Sequence, residues 1–285
     1  DDCISRVLRE SPDLSSPNDG NLSSSPLTED GSVSYDSDTG WIGPQLDTRE
    51  QDSWPKNREE LEEWAISRAK VHFDYCWNNA ISDWESSPNR VGKSDDINPD
   101  EGMQMIEAGL RLHLDQVESC MNNNGGPNLD SWRVGQYRPE WPSPDGFPKD
   151  WKSPHPCSQK SGSSVSWVEA WEISRPWFVD PDASGFTETT CHPDDWFQGE
   201  YDLVYRWNGK IRIVDLKASV GKGDRSGGYV EQLRLYSWLW WETHSRNNEV
   251  ESLEVWYLGP GTIKQVPIPS EKEMSQLNID LEKLL

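Results

Sequence analysis

Apolar positions three and four residues apart mark the first regular element. Leu61, Trp64, Ala65, Arg68, Val71 and Tyr75 share one helical face behind Ser53-Trp54-Pro55, which reads as a helix start. A second helix is predicted from Asn98-Pro99 through Met103, Ile106, Leu110, His113, Leu114 and Val117. The rhythm then changes. Val165 to Ile173, Gly199 to Arg206 and Ile211 to Leu216 carry the β-branched and aromatic residues of strands, and Asn208-Gly209 supplies a hairpin turn between the last two. Gly227 to Thr243 returns to a helical pattern, with Val230, Leu233, Leu235, Tyr236 and Leu239. Glu251 to Leu258 and Thr262 to Ile268 form a second predicted hairpin about Gly259-Pro260-Gly261, where Pro267 marks an edge strand. Ser270 caps a last helix to Leu285, with Glu271 and Glu273 in its first turn. This order predicts an α/β fold, a mixed central β-sheet flanked by helices, over residues 53–285.

Two stretches lack any period. Residues 1–52 are rich in Ser, Asp, Pro and Gly and read as a disordered acidic N-terminal segment. Residues 122–164 form a long Pro/Trp-rich loop, in which Trp132, Tyr137, Trp141, Phe147 and Trp151 imply packing or a stacking platform for bases.

Composition agrees with a packed domain diluted by polar segments: 285 residues, 33% hydrophobic and yet 17 Trp. Net charge is −23, with acids spread along the whole chain. Phosphate binding normally leaves a basic footprint, so this charge argues against nucleic acid unless a cationic strip and a bound metal act locally. A salt-rich (halophilic) cytoplasm accommodates such a surface, because screening there shortens the reach of repulsion. No run of about 18 apolar residues is present, so no membrane partner is expected. Asp1 in place of Met implies a truncated or processed chain, and the start carries no secretory signal. The 5 Cys are an odd number at irregular spacing, which is no disulfide framework and fits a reducing, cytoplasmic setting. His155, Cys157, Cys191 and His192 could supply zinc ligands if the chain folds back, although their spacing matches no familiar zinc module.

Candidate chemistry lies in the first hairpin. Counting outward from Asn208-Gly209, Trp207 faces Lys210 and Asp202 faces Asp215, while alternation puts Asp215 and Lys217 on one strand face. Two acids paired across a hairpin repel each other unless something uses them. A solvated sheet face with Lys217 offsetting the acids is the commoner meaning of Asp215-Leu216-Lys217 alone. Three elements in order change that: Gly199-Glu200-Tyr201-Asp202, then Asp215-Leu216-Lys217, then Gln232-Leu233-Arg234-Leu235-Tyr236. This set resembles the RecB-like branch of the PD-(D/E)XK nucleases, whose pattern is Gly-x-x-Asp, Asp-x-Lys and Gln-x-x-x-Tyr.

The resemblance implies a restriction-endonuclease-like core and a metal-dependent deoxyribonuclease acting in DNA repair, recombination or defence. It implies Mg²⁺ or Mn²⁺ held by Asp202, Asp215 and the Leu216 carbonyl, with Lys217 orienting or activating the attacking water. Gln232 and Tyr236, one helical turn apart, would buttress the site or touch the substrate backbone. Gly109-x-x-x-His113 matches the family's upstream metal-binding His, and Glu169 is preferred over Glu172 for its upstream strand Glu. Some relatives carry an iron–sulfur cluster on three late cysteines; no cysteine follows Cys191, so none is expected here. A Gly-x-x-x-x-Gly-Lys-Ser/Thr helicase motif is missing, so any motor would be a separate helicase, repair or defence subunit. The rival reading is a catalytically silent nuclease-fold module that binds DNA inside a larger complex.

Overall fold

The computed structural model describes residues 2–8, 10–13, 35–36, 41–42, 51–88, 98–127, 129–134, 157–176, 178–179, 192–194, 196–199, 201–205, 207–218, 226–243 and 250–283. Among them are helices α1 (Asp2–Leu8), α2 (Arg58–Ser86), α3 (Pro99–Asn122), α4 (Leu129–Arg133), α5 (Trp167–Ser174), α6 (Ser226–Thr243) and α7 (Glu271–Glu282). A two-stranded ribbon pairs β1 (Tyr35–Asp36) with β2 (Trp41–Ile42). The main sheet has five strands in the order β3 (Phe178–Val179), β4 (Leu203–Tyr205), β5 (Ile211–Lys217), β6 (Val250–Tyr257) and β7 (Thr262–Val266). The central pair β5–β6 is parallel and the others are antiparallel, so the sheet is mixed.

Helix starts follow local side-chain chemistry. Asn98 accepts from the Asp100 N–H at 2.9 Å with Pro99 in the first turn, where the predicted α3 begins. Ser270 and Glu273 form a reciprocal capping box on α7, also as the sequence reads. Helix α2 differs: its cap is Asn57, whose side chain accepts from Glu60 N at 2.8 Å, and 51–53 form a short 3-10 turn instead. Glu60 supplies the reason, since its carboxylate also accepts from Lys56 N at 2.9 Å and fixes the start at Asn57 rather than Ser53.

The expected strand at 165–173 is corrected to a helix. Ser166 and Glu169 close a capping box, and Val168, Ala170, Trp171 and Ile173 are buried against the helical layer. The Ser-x-x-Glu signal before an apolar run outweighed the β-branched and aromatic content.

The start of the chain is corrected as well. Residues 2–8 are not part of a disordered lead-in but form α1, with Cys3, Ile4, Val7 and Leu8 buried. Behind it Glu10 is buried, ion-paired with Arg68 and hydrogen-bonded to His72 of α2, and Arg175 donates to the Leu8 and Glu10 carbonyls. A short apolar stripe earns burial only from its partners, and those lie more than 50 residues away on α2 and α3. The rest of the 1–52 expectation falls mostly outside the described residues.

Side chains alternate along each strand, which divides the core into two layers. Leu203, Tyr205, Val214, Leu216 and Trp256 face α1–α5, whereas Val204, Ile211, Ile213, Leu253 and Val255 face α6 and α7. The long 122–164 loop holds α4, whose Trp132 is buried in the first layer, and Cys157 is buried there too. Tyr137, Trp141, Phe147 and Trp151 lie outside the described residues. Among the described residues, no helix is long and apolar enough to cross a membrane.

Candidate active site

The register of the β4–β5 pair places the acids. Leu203 faces Val214, Val204 faces Ile213 and Tyr205 faces Arg212, so the next step outward sets Asp202 opposite Asp215. The turn that fixes this register has Gly209 at φ 82°, a left-handed conformation suited to glycine, and Asn208 and Lys210 both bind Glu251 at the start of β6. Alternation carries Asp202, Asp215 and Lys217 to the α6 face of the sheet.

Asp215 is 1% exposed; its Oδ1 accepts from Lys217 Nζ at 2.7 Å, while its Oδ2 is buried without a hydrogen-bond partner among the described residues. A buried carboxylate oxygen left unpaired is costly and calls for an explanation, of which a bound water or ion is one. Asp202 sits half-buried just before β4, and its Oδ2 accepts from the Leu216 N–H at 2.6 Å. Burial, with the Asp215 charge beside it, pushes the Asp202 carboxyl up to about 6, against the pull of the Leu216 N–H and Lys217. Burial also raises Asp215, and the Lys217 ammonium works against that rise. Two acids sharing one desolvated site therefore hold a proton more readily than free carboxylates do.

Helix α6 closes the site from above. Gln232 Nε2 donates to the Tyr236 hydroxyl at 2.8 Å, one turn apart on the face toward the acids. Tyr236 is raised, first by burial and then by the charges of Asp202 and Asp215, while its bond to Gln232 acts the other way. Gly199 explains how the helix comes so near. A Cβ there would stand 3.0 Å from Leu239 Cδ2 and 3.2 Å from Tyr236 Cε1, so glycine leaves room for α6 beside the Asp202 segment. Tyr229, which the sequence reading passed over, lies against Lys217: the ammonium is 5.1 Å from its ring centroid. Its spacing of three and seven from Gln232 and Tyr236 was the available signal.

Two expected members are elsewhere. His113 is buried on the opposite face of the sheet, where its Nδ1 meets the Tyr205 hydroxyl at 3.0 Å and its ring packs edge-on against Trp171. Burial, with Arg175 nearby, drives its imidazole down to about 3. Gly109, the other half of that motif, is explained by packing, since a Cβ there would lie 2.5 Å from Ile4 Cδ1. Glu169 stands on α5, not on a strand, and its carboxylate is gripped by Arg133 Nε at 2.8 Å and Nη2 at 2.9 Å. It also accepts from the Gln159 and Ser166 N–H groups, which leaves little of it for a metal. Of the conceivable zinc ligands, His155 and Cys191 lie outside the described residues. Cys157 belongs to the α1–α5 layer, while His192 stacks on Trp238 of the other layer, so these two are not brought together. Among the described residues, no group of three or more His, Cys, Asp or Glu side chains gathers to hold a metal.

The remaining donor set is hard oxygen: two carboxylates and the main chain of Leu216. Such a set suits a cation that keeps several of its own waters. The unpaired Asp215 Oδ2 gives it an open position.

No curated protein and no solved structure matches the chain. A family model does, that of the PD-(D/E)XK nuclease superfamily, over residues 165–285. That stretch begins just before α5 and contains the whole main sheet, α6, α7 and the acid pair. Over residues 165–285, with their mixed sheet, the chain is therefore similar to the PD-(D/E)XK nuclease superfamily.

Proposed function

We propose that the chain is a metal-dependent deoxyribonuclease of the RecB-like branch, which hydrolyses DNA phosphodiester bonds. The observation that carries this reading is the acid pair on the β4–β5 hairpin, with a buried unpaired oxygen on Asp215 and Lys217 beside it. Supporting the branch are Gly199, which admits α6, and the Gln232–Tyr236 bond over the acids.

Asp202, Asp215 and the Leu216 carbonyl would hold Mg²⁺ or Mn²⁺. The Leu216 N–H already points at Asp202, and in a strand the carbonyl of the same residue lies on the same edge. When bound, the ion polarises the scissile phosphate and lowers the pKa of a water. Lys217 then serves as a fixed cation, orienting the attacking water and countering charge that develops on the phosphate. Tyr236, held by Gln232, offers its hydroxyl to the substrate backbone from above. Water attacks in line with the leaving oxygen, oriented by Lys217. Repair, recombination or defence is the setting we infer, with strand separation left to a partner helicase.

The test is incubation with labelled single- and double-stranded DNA, with Mg²⁺ or Mn²⁺, at low and near-saturating KCl. Degradation is expected, with a loss of at least about 100-fold in Asp215→Ala and Lys217→Ala. Cutting that survives both changes would falsify the site. Binding of DNA without cutting in any salt would favour the rival module.

A further inference from the structure

We propose that Tyr229 is a positioning residue for Lys217, holding its ammonium over the aromatic face beside Asp215; this rests on the nuclease reading of the site. The Lys217 Nζ lies 5.1 Å from the Tyr229 ring centroid, inside the range in which a ring's negative face attracts a cation. The same nitrogen donates to Asp215 Oδ1 at 2.7 Å, so it is held from two directions by side chains of β5 and α6. Tyr229 is itself braced. Its ring packs on that of Tyr257, with centroids 6.3 Å apart, and Tyr257 is the β6 residue paired with Lys217 in the ladder.

Two anchors matter because a lysine stem is long and rotates freely. Asp215 alone is an unreliable anchor, since any cation bound to its carboxylate competes with Lys217 for the same negative charge. The Tyr229 face has no lone pair to offer a metal and keeps its hold when that competition begins. Lys217 is only 20% exposed at its side chain, which removes water that would otherwise weaken the ring contact. Tyr229 lies on the helix face that also carries Gln232 and Tyr236, so one element sets both the cation and the hydroxyl of the site.

The test replaces Tyr229 with Phe, with Leu, and with a series of increasingly fluorinated phenylalanines, which drain the ring's negative face at nearly constant shape. Tyr229→Phe should cut DNA within about twofold of the unaltered protein. Tyr229→Leu should lose about tenfold in kcat with KM unchanged, and kcat should fall stepwise along the fluorinated series. A kcat indifferent to fluorination, or a loss in KM alone, would overturn the proposal. A second readout needs neither metal nor DNA: the Lys217 ε-methylene NMR signals, assigned by Lys217→Arg, should be ring-shifted in Tyr229→Phe and lose that shift in Tyr229→Leu. Equal signals in the two variants would also overturn it. An unaltered protein that shows the ring shift yet cuts no DNA would remove the nuclease reading and the positioning role together. One that cuts normally with a flat fluorination series removes the positioning role alone.

Discussion

Asp202 concentrates the cost of the site in one group. Its carboxyl is raised to about 6, above the ordinary value near 4 that it regains on unfolding. Between those two values the folded state binds more protons than the unfolded one, so stability falls as pH rises from about 4 to about 6 and stays lowered above that. In metal-free protein, Asp202→Asn should therefore be more stable than the parent at pH 7, by roughly 1–3 kcal/mol, with the difference gone by about pH 4. Urea unfolding at the two pH values in chelator checks this; equal stability at pH 7 would sink it. Mg²⁺ should raise the melting temperature of the parent and not of the variant, because only the parent keeps both carboxylates.

At the scale of elements, the helical layer and the sheet do separate work. Glu169 and His113 belong to the first. Glu169→Ala leaves the Arg133 charge buried with only backbone carbonyls and no carboxylate facing it, so it should cost about 3–5 kcal/mol in urea unfolding. Cutting per folded molecule should remain near that of the parent, and a loss as large as that of Asp215→Ala would return Glu169 to the site. Helix α1 offers a parallel case. Ile4 is 1% exposed and touches the Gly109 turn of α3, so Ile4→Ala should cost about 2–4 kcal/mol, whereas a disordered lead-in would show no change. Both helical errors have one origin. Trp167 to Ile173 has strand-like composition, and Asp2 to Leu8 is too short to hold a helix by itself. Partners distant in sequence decided both: Arg133 for Glu169, and Arg68, His72 and Arg175 for the segment behind α1.

For the whole molecule, the net charge of −23 is the dominant long-range term. Repulsion among spread acids destabilises the compact state, and added salt screens it. The melting temperature should therefore rise by several degrees between 0.1 and 2 M KCl, as scanning calorimetry would record; an unchanged or falling value would contradict a halophilic design. On the proposed reading, the acids of the site would need a bound cation before a DNA phosphate could approach through this charge.

Features that depend on near neighbours were legible in the chain alone. Asn208-Gly209 and strict alternation were enough to set Asp202 against Asp215 with Lys217 on their face, because hairpin register is a local property. The caps at Asn98 and Ser270 were legible for the same reason. Which candidates reach that face depended on long-range packing. His113 and Glu169 went to the far side of the sheet, because burial there brought Tyr205, Trp171 and Arg133, partners that no local period announces. Tyr229 came to the near side by the same rule, as α6 crossed the sheet close over Gly199 and set an aromatic face against the lysine.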